Sequence, residues 1–476
     1  MSTDRAYDLG FRTVEREYTD RSLRIEGTVP EWIDGALIRN GPGKFEFGGE
    51  RATHWFDGLA MLRRYGVSDG EVTYTNRFLR SDAYAAADEG YGAGEFASGG
   101  GPLRQAARWL RSLGPPRPTD NANVHVVRVG DHHVAVTEAP RRIAFDPDTL
   151  DTRGEFRWRD DLPEHLTTAH FSVDPIRNET IGYATTFGRN PAYHLYRIPG
   201  DRPARDRIAS VPADGPGYVH DCSVTESYVV LVETPLEIAV LRALLPWNEG
   251  LLDMLRYDET RDARFIVVDR DTGRLVAEPR TSAFFTFHHV NAYEPGRGDD
   301  DTTDLVVDLV TFPDDGIVEA LSFDSLSESA FADAPDGRLD SFRLDLESDT
   351  VDRSRTYDGG LELPTVPRSV RGRPYRYAYA QATDREGANG LVKVDRERGT
   401  AREWWERGVY VEEPRMVERP DGTEEDDGVV LAPALDVDAG RSMLLVFDAA
   451  ALVELARAPL PHAVPFGFHG RFFEDC

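Results

Sequence analysis

The chain is poor in cysteine, in long apolar runs and in targeting features, and each shortage excludes a class of protein. Cys222 and Cys476 are the only cysteines among 476 residues, too few for a disulfide framework or a cysteine-based metal site. No run of about 18 apolar residues occurs, so no transmembrane helix is predicted. The N-terminus, from Met1 to Phe11, is polar and acidic and does not resemble a secretory signal. We therefore predict an intracellular, cytoplasmic protein.

Positive charge is scarce as well. Lysine occurs only at Lys44 and Lys393, and the net charge is −29 with a pI near 4.8. The acidic residues are dispersed along the chain, which is typical of the hydrated surfaces of halophilic proteins, so we expect a halophilic source. A field this negative repels nucleic acid, and no nucleic-acid partner is predicted. Regular apolar segments argue against disorder.

Short strand patterns dominate the chain. These runs are rich in β-branched and apolar residues: Val124–Val129, Val134–Val136, Tyr228–Val232, Phe265–Val268, Leu305–Val310, Leu391–Val394 and Met443–Phe447. Several lead into Asp and a tight polar turn, in which Gly273 or Gly399 can take a positive φ. A hairpin repeated along the chain favours an all-β propeller, and a pair of β-sandwiches is the alternative. Because no Pro/Gly/Ser-rich linker divides the chain, we predict a single domain over residues 1–476.

Two stretches instead have apolar residues at helical intervals, Leu103–Leu113 and Leu236–Leu255, the second interrupted by Pro246. In a protein of hairpins they are interpreted as helical insertions. They could be ordinary core helices, or an apolar collar around a lipid-facing entrance that touches a membrane peripherally.

Four of the twelve histidines have distinctive neighbours: His170, His220, His288 and His469. They are too far apart in the chain to share one helix, as the ligands of local metal motifs do. They can converge if each lies at the inner end of a different blade. Any one of them alone is better interpreted as an ordinary core or surface histidine, and only the set indicates a metal site.

Four neutral imidazoles would suit Fe(II), Zn(II), Cu or Ni, and without an anionic ligand the metal keeps its full charge. Each ligating imidazole needs a hydrogen-bond acceptor at its other nitrogen to fix its tautomer and direction. Glutamate is the natural acceptor, and a nearby metal would keep a buried glutamate ionised.

These motifs together resemble the carotenoid cleavage oxygenases, a family that includes plant epoxycarotenoid dioxygenases, animal β-carotene oxygenases, lignostilbene dioxygenases and the visual-cycle retinoid isomerase. The resemblance runs nearly from end to end and rests on several motifs in order: Arg39-Asn-Gly-Pro42, His54-Trp-Phe-Asp-Gly58, Thr168-Ala-His170, His220-Asp with Thr225-Glu226, Phe287-His288 with Asn291-Ala-Tyr-Glu294, Glu424-Glu-Asp-Asp-Gly-Val-Val430 and Phe468-His469-Gly470.

The resemblance implies a seven-bladed β-propeller in which helical insertions cap the active-site face. It also implies Fe(II) on the axis, held by the four histidines. In the doublet His288-His289 the family's ligand is the first residue, so His288 is predicted and His289 is the alternative. Asp57 and Gly58 are assigned structural roles in a turn.

The family also places three glutamates behind the ligands, and by local motif these resemble Glu138, Glu362 and Glu413, with Glu412 as a near alternative to Glu413. Without the family resemblance, these glutamates would be interpreted as surface residues. Thr137, directly before Glu138, is predicted to line the oxygen-binding face as a catalytic residue, and an ordinary strand residue is the alternative.

The implied activity is that of a non-haem Fe(II) dioxygenase, which uses O2 to cleave a C=C bond of an apolar carotenoid or apocarotenoid into aldehydes, with β-carotene to retinal as the leading expectation. Family members that cleave hydroxystilbenes carry a lysine where this chain has Thr137, which counts against a stilbene substrate. A stilbene dioxygenase, a retinoid isomerohydrolase and a non-catalytic binding propeller remain the alternatives.

Overall fold

The described residues form nine antiparallel sheets. Seven are arranged as the blades of a β-propeller, which confirms the predicted fold class, and two are small two-stranded sheets, one of them Glu46–Phe47 with Glu50–Arg51. The computed structural model describes residues 6–87, 96, 118–200, 202–213, 215, 217–244, 250–296, 304–329, 331, 333–385, 388–474 and 476. The stretch predicted to be helical at 103–113 lies outside these ranges. That residues 1–476 form one domain stays a prediction.

The first four blades have the following strands. Blade 1 contains Tyr18–Ser22, Gly35–Arg39, Pro42–Lys44, Leu59–Ser68, Glu71–Phe78 and Gly470–Phe473. Blade 2 contains His125–Val129, His132–Val136, Arg142–Phe145 and Thr152–Phe156. Blade 3 contains Leu166–Thr167, Ser172–Asp174, Glu179–Thr186, Ala192–Pro199 and Asp206–Pro212. Blade 4 contains Cys222–Val224, Tyr228–Glu233, Ala263–Asp269, Leu275–Ala277 and Arg280–Thr281.

The remaining three blades complete the ring. Blade 5 contains His289–Tyr293, Asp304–Thr311, Arg338–Asp345 and Thr350–Tyr357. Blade 6 contains Leu361–Thr365, Tyr377–Ala382, Gly390–Asp395 and Thr400–Trp404. Blade 7 contains Glu26–Gly27, Val409–Val411, Arg415–Glu418, Gly428–Asp436, Arg441–Asp448 and Val453–Pro459. All seven strands predicted from the sequence are present: six have slightly wider bounds, and the one predicted as Val124–Val129 begins one residue later, at His125.

The two ends of the chain close the ring. In blade 1, Gly35–Arg39 pairs antiparallel with Gly470–Phe473, so that Arg39 lies opposite Gly470. In blade 7, Glu26–Gly27 pairs with Val453–Pro459. Main-chain hydrogen bonds between segments from the two ends of the chain therefore close the ring.

The predicted hairpin turns are present. Oδ1 of Asp269 accepts hydrogen bonds from the backbone N–H groups of Asp271 and Thr272, at 3.1 and 2.8 Å. Gly273 completes this turn at φ +72°, which a residue with a side chain rarely adopts. Asp269 therefore starts this turn by the expected mechanism.

The prediction of a helix over 236–255 is wrong. Leu236–Ile238 and Leu255–Tyr257 pair as a two-stranded antiparallel sheet, and only two short 3₁₀ helices, Val240–Leu244 and Leu252–Met254, lie between them in the described part. The pairing of these two strands outweighs the helical spacing of the apolar residues between them, a spacing that Pro246 interrupts. The other described helices are also short: Ala6–Phe11, Trp55–Asp57 and Arg368–Val370 are 3₁₀, and Asp82–Ala87, Gly316–Ala320 and Phe323–Ser329 are α.

The inner edge strands of neighbouring blades touch one another around the central axis. Contacts join Ser172–Asp174 to Cys222–Val224, Cys222–Val224 to His289–Tyr293, and His289–Tyr293 to Leu361–Thr365. The chain positions just before these strands are therefore brought to the axis. In the described part of the chain, no helix is long and apolar enough to span a membrane.

Candidate metal centre

Four histidines from four blades converge on the axis. His170, His220, His288 and His469 lie one or two residues before an inner strand of blades 3, 4, 5 and 1. Each offers one ligand nitrogen, and these four atoms lie within 4.8 Å of one another. The ring centroids of His170 and His469 are 4.3 Å apart, and those of His170 and His220 are 4.6 Å apart. The structure thus gathers all four predicted ligands into one cluster.

Glutamates from the other three blades stand behind this cluster. They lie after His132–Val136 in blade 2, within Leu361–Thr365 in blade 6, and between Val409–Val411 and Arg415–Glu418 in blade 7. Each bonds one ring of the cluster, and the pairs are Glu138 Oε1 with His220 Nδ1 at 2.7 Å, Glu362 Oε2 with His288 Nδ1 at 2.6 Å, and Glu413 Oε1 with His469 Nδ1 at 2.8 Å. Every blade therefore contributes one side chain to the centre.

The hydrogen bonds decide which nitrogen of each ring is free. A carboxylate accepts the proton carried by Nδ1, which leaves the Nε2 lone pair directed away from the glutamate. Nε2 of His288 and Nε2 of His170 are buried and have no hydrogen-bond partner among the described residues. Buried polar atoms without partners are unfavourable unless something else satisfies them. Converging neutral imidazole nitrogens are a donor set that divalent transition metals favour, so the cluster fits a metal ion.

Burial keeps two of the rings neutral. Burial, followed by the charge of neighbouring histidines, lowers the pKa of His170 and of His469 well below 6.5. Burial acts on His288 in the same direction, but the charge of Glu362 and its hydrogen bond outweigh it and raise the pKa of that ring. Only an unprotonated nitrogen can bind a metal, and the lowered pKa of these two rings favours that form.

Aromatic rings form an apolar wall beside the cluster. The ring of Phe287 lies 5.0 Å from that of His220, and Phe56 packs against Phe287 and Phe468 at 6.3 and 5.4 Å. Phe287 and Phe468 each directly precede a histidine of the cluster, so the strands that position the imidazoles also position the wall. A flat apolar molecule could lie against this surface.

Comparison with known proteins matches this arrangement. Residues 11–474 match the family model described as retinal pigment epithelial membrane protein. Carotenoid cleavage dioxygenase 8 of Arabidopsis thaliana is 31% identical, over 98% of this chain and 86% of its own length. Carotenoid isomerooxygenase of Galleria mellonella is 33% identical, over 97% and 95%. The chain belongs to the carotenoid cleavage oxygenase family.

Solved structures of this family have the same fold. A single-residue variant of Synechocystis apocarotenoid oxygenase superposes with a TM-score of 0.85 at 25% identity, covering 98% of both chains. The cobalt-substituted form of that Synechocystis protein gives the same TM-score, identity and coverage.

The carboxylate behind His469 belongs to Glu413 rather than Glu412. Glu413 also pairs with Arg39 and, at 2.6 Å, with Nη2 of Arg415. Glu412 points elsewhere, where its Oε2 accepts the backbone N–H of Gly467 at 3.1 Å and lies 3.3 Å from Nη2 of Arg39. Arg39, from the first family motif, thus joins both glutamates to blade 1.

The histidine doublet divides in the same way. His288 enters the cluster, whereas Nδ1 of His289 lies 2.7 Å from Oγ of Ser223 and its backbone N–H donates to Asp221 at 3.0 Å. Burial, with the charges of His288 and His220, lowers the pKa of His289 to about 3. The second histidine of the doublet is therefore a neutral neighbour of the cluster.

Within the described residues, no hydrogen bond joins Thr137 or the hallmark His54-Trp-Phe-Asp-Gly58 to the four clustered rings. Thr137 is half-buried and occupies the position between the end of a blade 2 strand and Glu138. Oδ1 of Asp57 accepts the backbone N–H of Phe96 at 3.0 Å, and the ring of Phe96 packs against that of Phe56 in the aromatic wall, 5.1 Å away. Gly58 has φ −64°, which any residue can adopt, so the backbone bend does not require glycine. Close packing requires it instead, because an added Cβ would lie 2.4 Å from Cβ of Pro42.

Three residues around the cluster were not predicted as site residues, although Thr168 lies in one of the family motifs. The hydroxyl of Tyr218 donates to Glu138 at 2.8 Å, and Oγ1 of Thr168 accepts the backbone N–H of His170 at 2.8 Å. The ring of His125 lies 5.4 Å from His469, while its Nδ1 accepts the backbone N–H of Val126. Its place at the inner end of a predicted strand, like the other four histidines, was the available signal.

A polar cavity of about 110 Å³ adjoins the cluster, and its lining differs from the aromatic wall. Its described lining includes three of the four clustered histidines and three arginines, Arg371, Arg415 and Arg471. The described lining contains none of Phe56, Phe287 and Phe468. The cluster therefore borders two environments of opposite character.

Proposed function

We propose that this protein is a non-haem Fe(II) dioxygenase that cleaves a C=C bond of a carotenoid or apocarotenoid with O2, giving aldehyde products. The observation that carries the proposal is the cluster of four imidazoles, with ligand nitrogens within 4.8 Å of one another, beside an aromatic wall. The names of the relatives support it, since they include a carotenoid cleavage dioxygenase of Arabidopsis thaliana and a β,β-carotene 15,15′-dioxygenase of Mus musculus.

Iron in this site would supply activation of O2 without a reducing cosubstrate. His170, His220, His288 and His469 would hold it through neutral nitrogens, so that its full positive charge is kept. The three glutamates orient the rings and accept their Nδ1 protons. No side chain of the site need act as a general acid or base, and the task of the protein is to position one double bond beside the metal.

The aromatic wall formed by Phe56, Phe287 and Phe468 supports a polyene substrate rather than a phenolic stilbene. Thr137 stands where the family members that cleave hydroxystilbenes carry a lysine. Lys393 makes its contacts elsewhere, because its Nζ bonds Asp426 at 2.5 Å and the carbonyl of Ala450 at 2.9 Å. We favour β-carotene, cleaved centrally to retinal, as the first substrate to test.

Product analysis tests the function. Protein loaded with Fe(II) is offered β-carotene, an apocarotenal and a hydroxystilbene side by side, and the products are separated by chromatography. We expect aldehydes from a carotenoid and none from the stilbene, and the chain lengths identify the cleaved bond. Iron-free protein of equal activity would contradict the proposal.

Isotope labelling distinguishes a dioxygenase from a retinoid isomerohydrolase. With ¹⁸O2, a dioxygenase places labelled oxygen in both carbonyl products, measured quickly enough to limit exchange with water. A retinoid isomerohydrolase would instead take its oxygen from water. A stable fold that binds no iron and converts none of these substrates would favour a binding propeller.

We also propose a cytoplasmic protein, halophilic in origin, that touches membranes peripherally through the segment 236–255. Leu241 in this segment is 81% exposed, which is unusual for a large apolar side chain. Flotation with phospholipid vesicles tests the contact, and Leu241→Ser should weaken it, whereas equal flotation of both proteins would exclude this segment.

A further inference from the structure

The arginines of the polar cavity are positively charged groups brought close together. Arg371, Arg415 and Arg471 all line it, next to the histidine cluster. An arginine stays charged at any physiological pH and offers five N–H donors. A divalent ion held by four neutral imidazoles would add further positive charge beside them.

Nearby carboxylates do not balance this charge. Asp221 and Glu413 are the acidic residues in the described lining. Asp221 accepts the backbone N–H groups of Cys222 and His289 at 2.6 and 3.0 Å, and Glu413 is committed to His469, Arg39 and Arg415. Among the described residues, no hydrogen bond or ion pair reaches the guanidinium of Arg371.

The turn that carries Arg371 is built to hold it at the cavity. Nδ2 of the buried Asn291 donates to the carbonyls of Val370 and Arg373 at 2.9 and 3.1 Å, and its Oδ1 accepts the N–H of Gly372 at 2.9 Å. Gly372 takes φ +74°, a conformation that favours glycine. Three hydrogen bonds from one side chain therefore fix the backbone on both sides of the arginine.

Charge repulsion is evident at this position. Burial first, and then the charges of Arg415 and Arg368, lower the pKa of Arg371 to about 10, although the charges of Glu413 and Glu418 act in the opposite direction. It therefore remains a cation at neutral pH. Bringing like charges together in a partly desolvated cavity is unfavourable unless a counter-charge is present. Arg471 has donors to spare, since among the described residues its guanidinium makes one hydrogen bond, from Nη2 to the carbonyl of Phe171 at 3.4 Å.

We propose that this cavity binds a small inorganic anion, chloride or an oxyanion such as phosphate, between the guanidinium groups of Arg371 and Arg471. The volume of about 110 Å³ accommodates such an ion with water, since one water occupies about 30 Å³ of liquid. The anion would offset the positive charge beside the cluster. This site does not depend on which polyene is cleaved.

Crystallography of the metal-loaded protein tests the site directly. Crystals are soaked in sodium bromide, whose anomalous scattering locates the ion, and a second set is grown in sodium phosphate. We expect a bromide peak or phosphate density in the cavity, within hydrogen-bond distance of Arg371 and Arg471. A cavity that contains only water, with bromide confined to exposed arginines, would overturn the proposal.

Thermal unfolding of the same metal-loaded protein gives a solution test. Chloride or phosphate replaces gluconate, an anion too large for the cavity, at constant ionic strength. The Tm of the wild type should rise and saturate with one of the small anions, and Arg371→Gln should lose that rise. Arg373→Gln, an exposed arginine two residues away, is the matched control and should keep it. Equal responses of the wild type and Arg371→Gln would contradict the site, and if that variant does not fold, the wild-type crystals decide.

Discussion

Oε1 of Glu413 lies 2.8 Å from Nδ1 of His469, while the same carboxylate pairs with Arg39 and Arg415. Two cations and one imidazole thus share a single buried acid, which is only 2% exposed. The hydrogen bond from the imidazole to this carboxylate holds the ring in the tautomer that presents Nε2 to the cluster. Through this one residue, the blade 1 strand Gly35–Arg39 is coupled to the metal centre.

Glu413→Gln should weaken metal binding about 10- to 100-fold, because the neutral amide accepts the imidazole proton less strongly and orients the ring less well. Iron retained after dialysis against graded chelator concentrations measures the affinity. Glu412→Gln is the matched control, since it alters the neighbouring acid and the same arginine without touching the imidazole. Equal iron loss from both variants would show that buried charge, rather than the bond to His469, sets the affinity.

Replacing the two histidines of the doublet one at a time should show which of them binds the metal. His288→Gln should lose nearly all bound iron, because it removes one of four converging nitrogens, whereas His289→Gln should retain it, because that ring bonds Ser223 instead. Metal content per chain by atomic absorption, with circular dichroism to check the fold, measures the difference. Iron loss from His289→Gln with retention by His288→Gln would reverse the assignment.

The sequence predicted those features that depend on local chemistry or on a family resemblance. Strands such as Tyr228–Glu233 were found because β-branched residues alternate with turn signals, and the turn at Asp269 followed from its side-chain bonding. Glu362 could be named only through the family, because nothing in its local sequence shows that the axis lies beside it. The 236–255 stretch was misinterpreted because apolar spacing does not reveal strand pairing across an excursion.

His125 illustrates a second limit. Its proximity to His469 follows from the packing of the blade 2 strand His125–Val129 against the blade 1 strand Gly470–Phe473, which no local pattern encodes. The arginines of the polar cavity have the same origin, since Arg371 and Arg471 are 100 positions apart. Such groupings become visible only once the ring of blades is closed.

Gly41→Ala should destabilise the protein and loosen the metal site together. A Cβ at position 41 would lie 2.5 Å from Cα of Gly467 and 3.0 Å from the backbone N of Phe468, so the segment leading to His469 would have to move. We expect a loss of about 1–3 kcal/mol in unfolding free energy, as for other overpacked sites. Urea denaturation and iron content measure the two effects. Gly296→Ala, where a Cβ meets nothing within 4 Å, is the control and should stay within about 0.5 kcal/mol of the wild type.

His54 should make the protein sensitive to acid. Its ring is fully buried, with Nε2 donating to the carbonyl of Val318 at 2.9 Å and Nδ1 accepting the N–H of Phe56 at 3.1 Å, so both nitrogens are occupied by the neutral form. Burial, partly opposed by the bond to Val318, lowers its pKa from 6.5 to about 4. Between these values the unfolded chain binds the proton and the folded one does not, so stability is full above pH 6.5 and falls as the pH drops to 4.

The loss attributable to this ring should approach about 3 kcal/mol near pH 4, at roughly 1.4 kcal/mol for each unit of pKa. Urea unfolding of the wild type and of His54→Gln at pH 7 and at pH 4.5 measures it. The variant should be less stable at pH 7, because it loses two buried hydrogen bonds, but its stability should fall less on acidification. His132→Gln removes an exposed histidine and should show the wild-type dependence on pH. If His54→Gln loses stability with acid as steeply as the wild type, the buried ring is not the group that titrates.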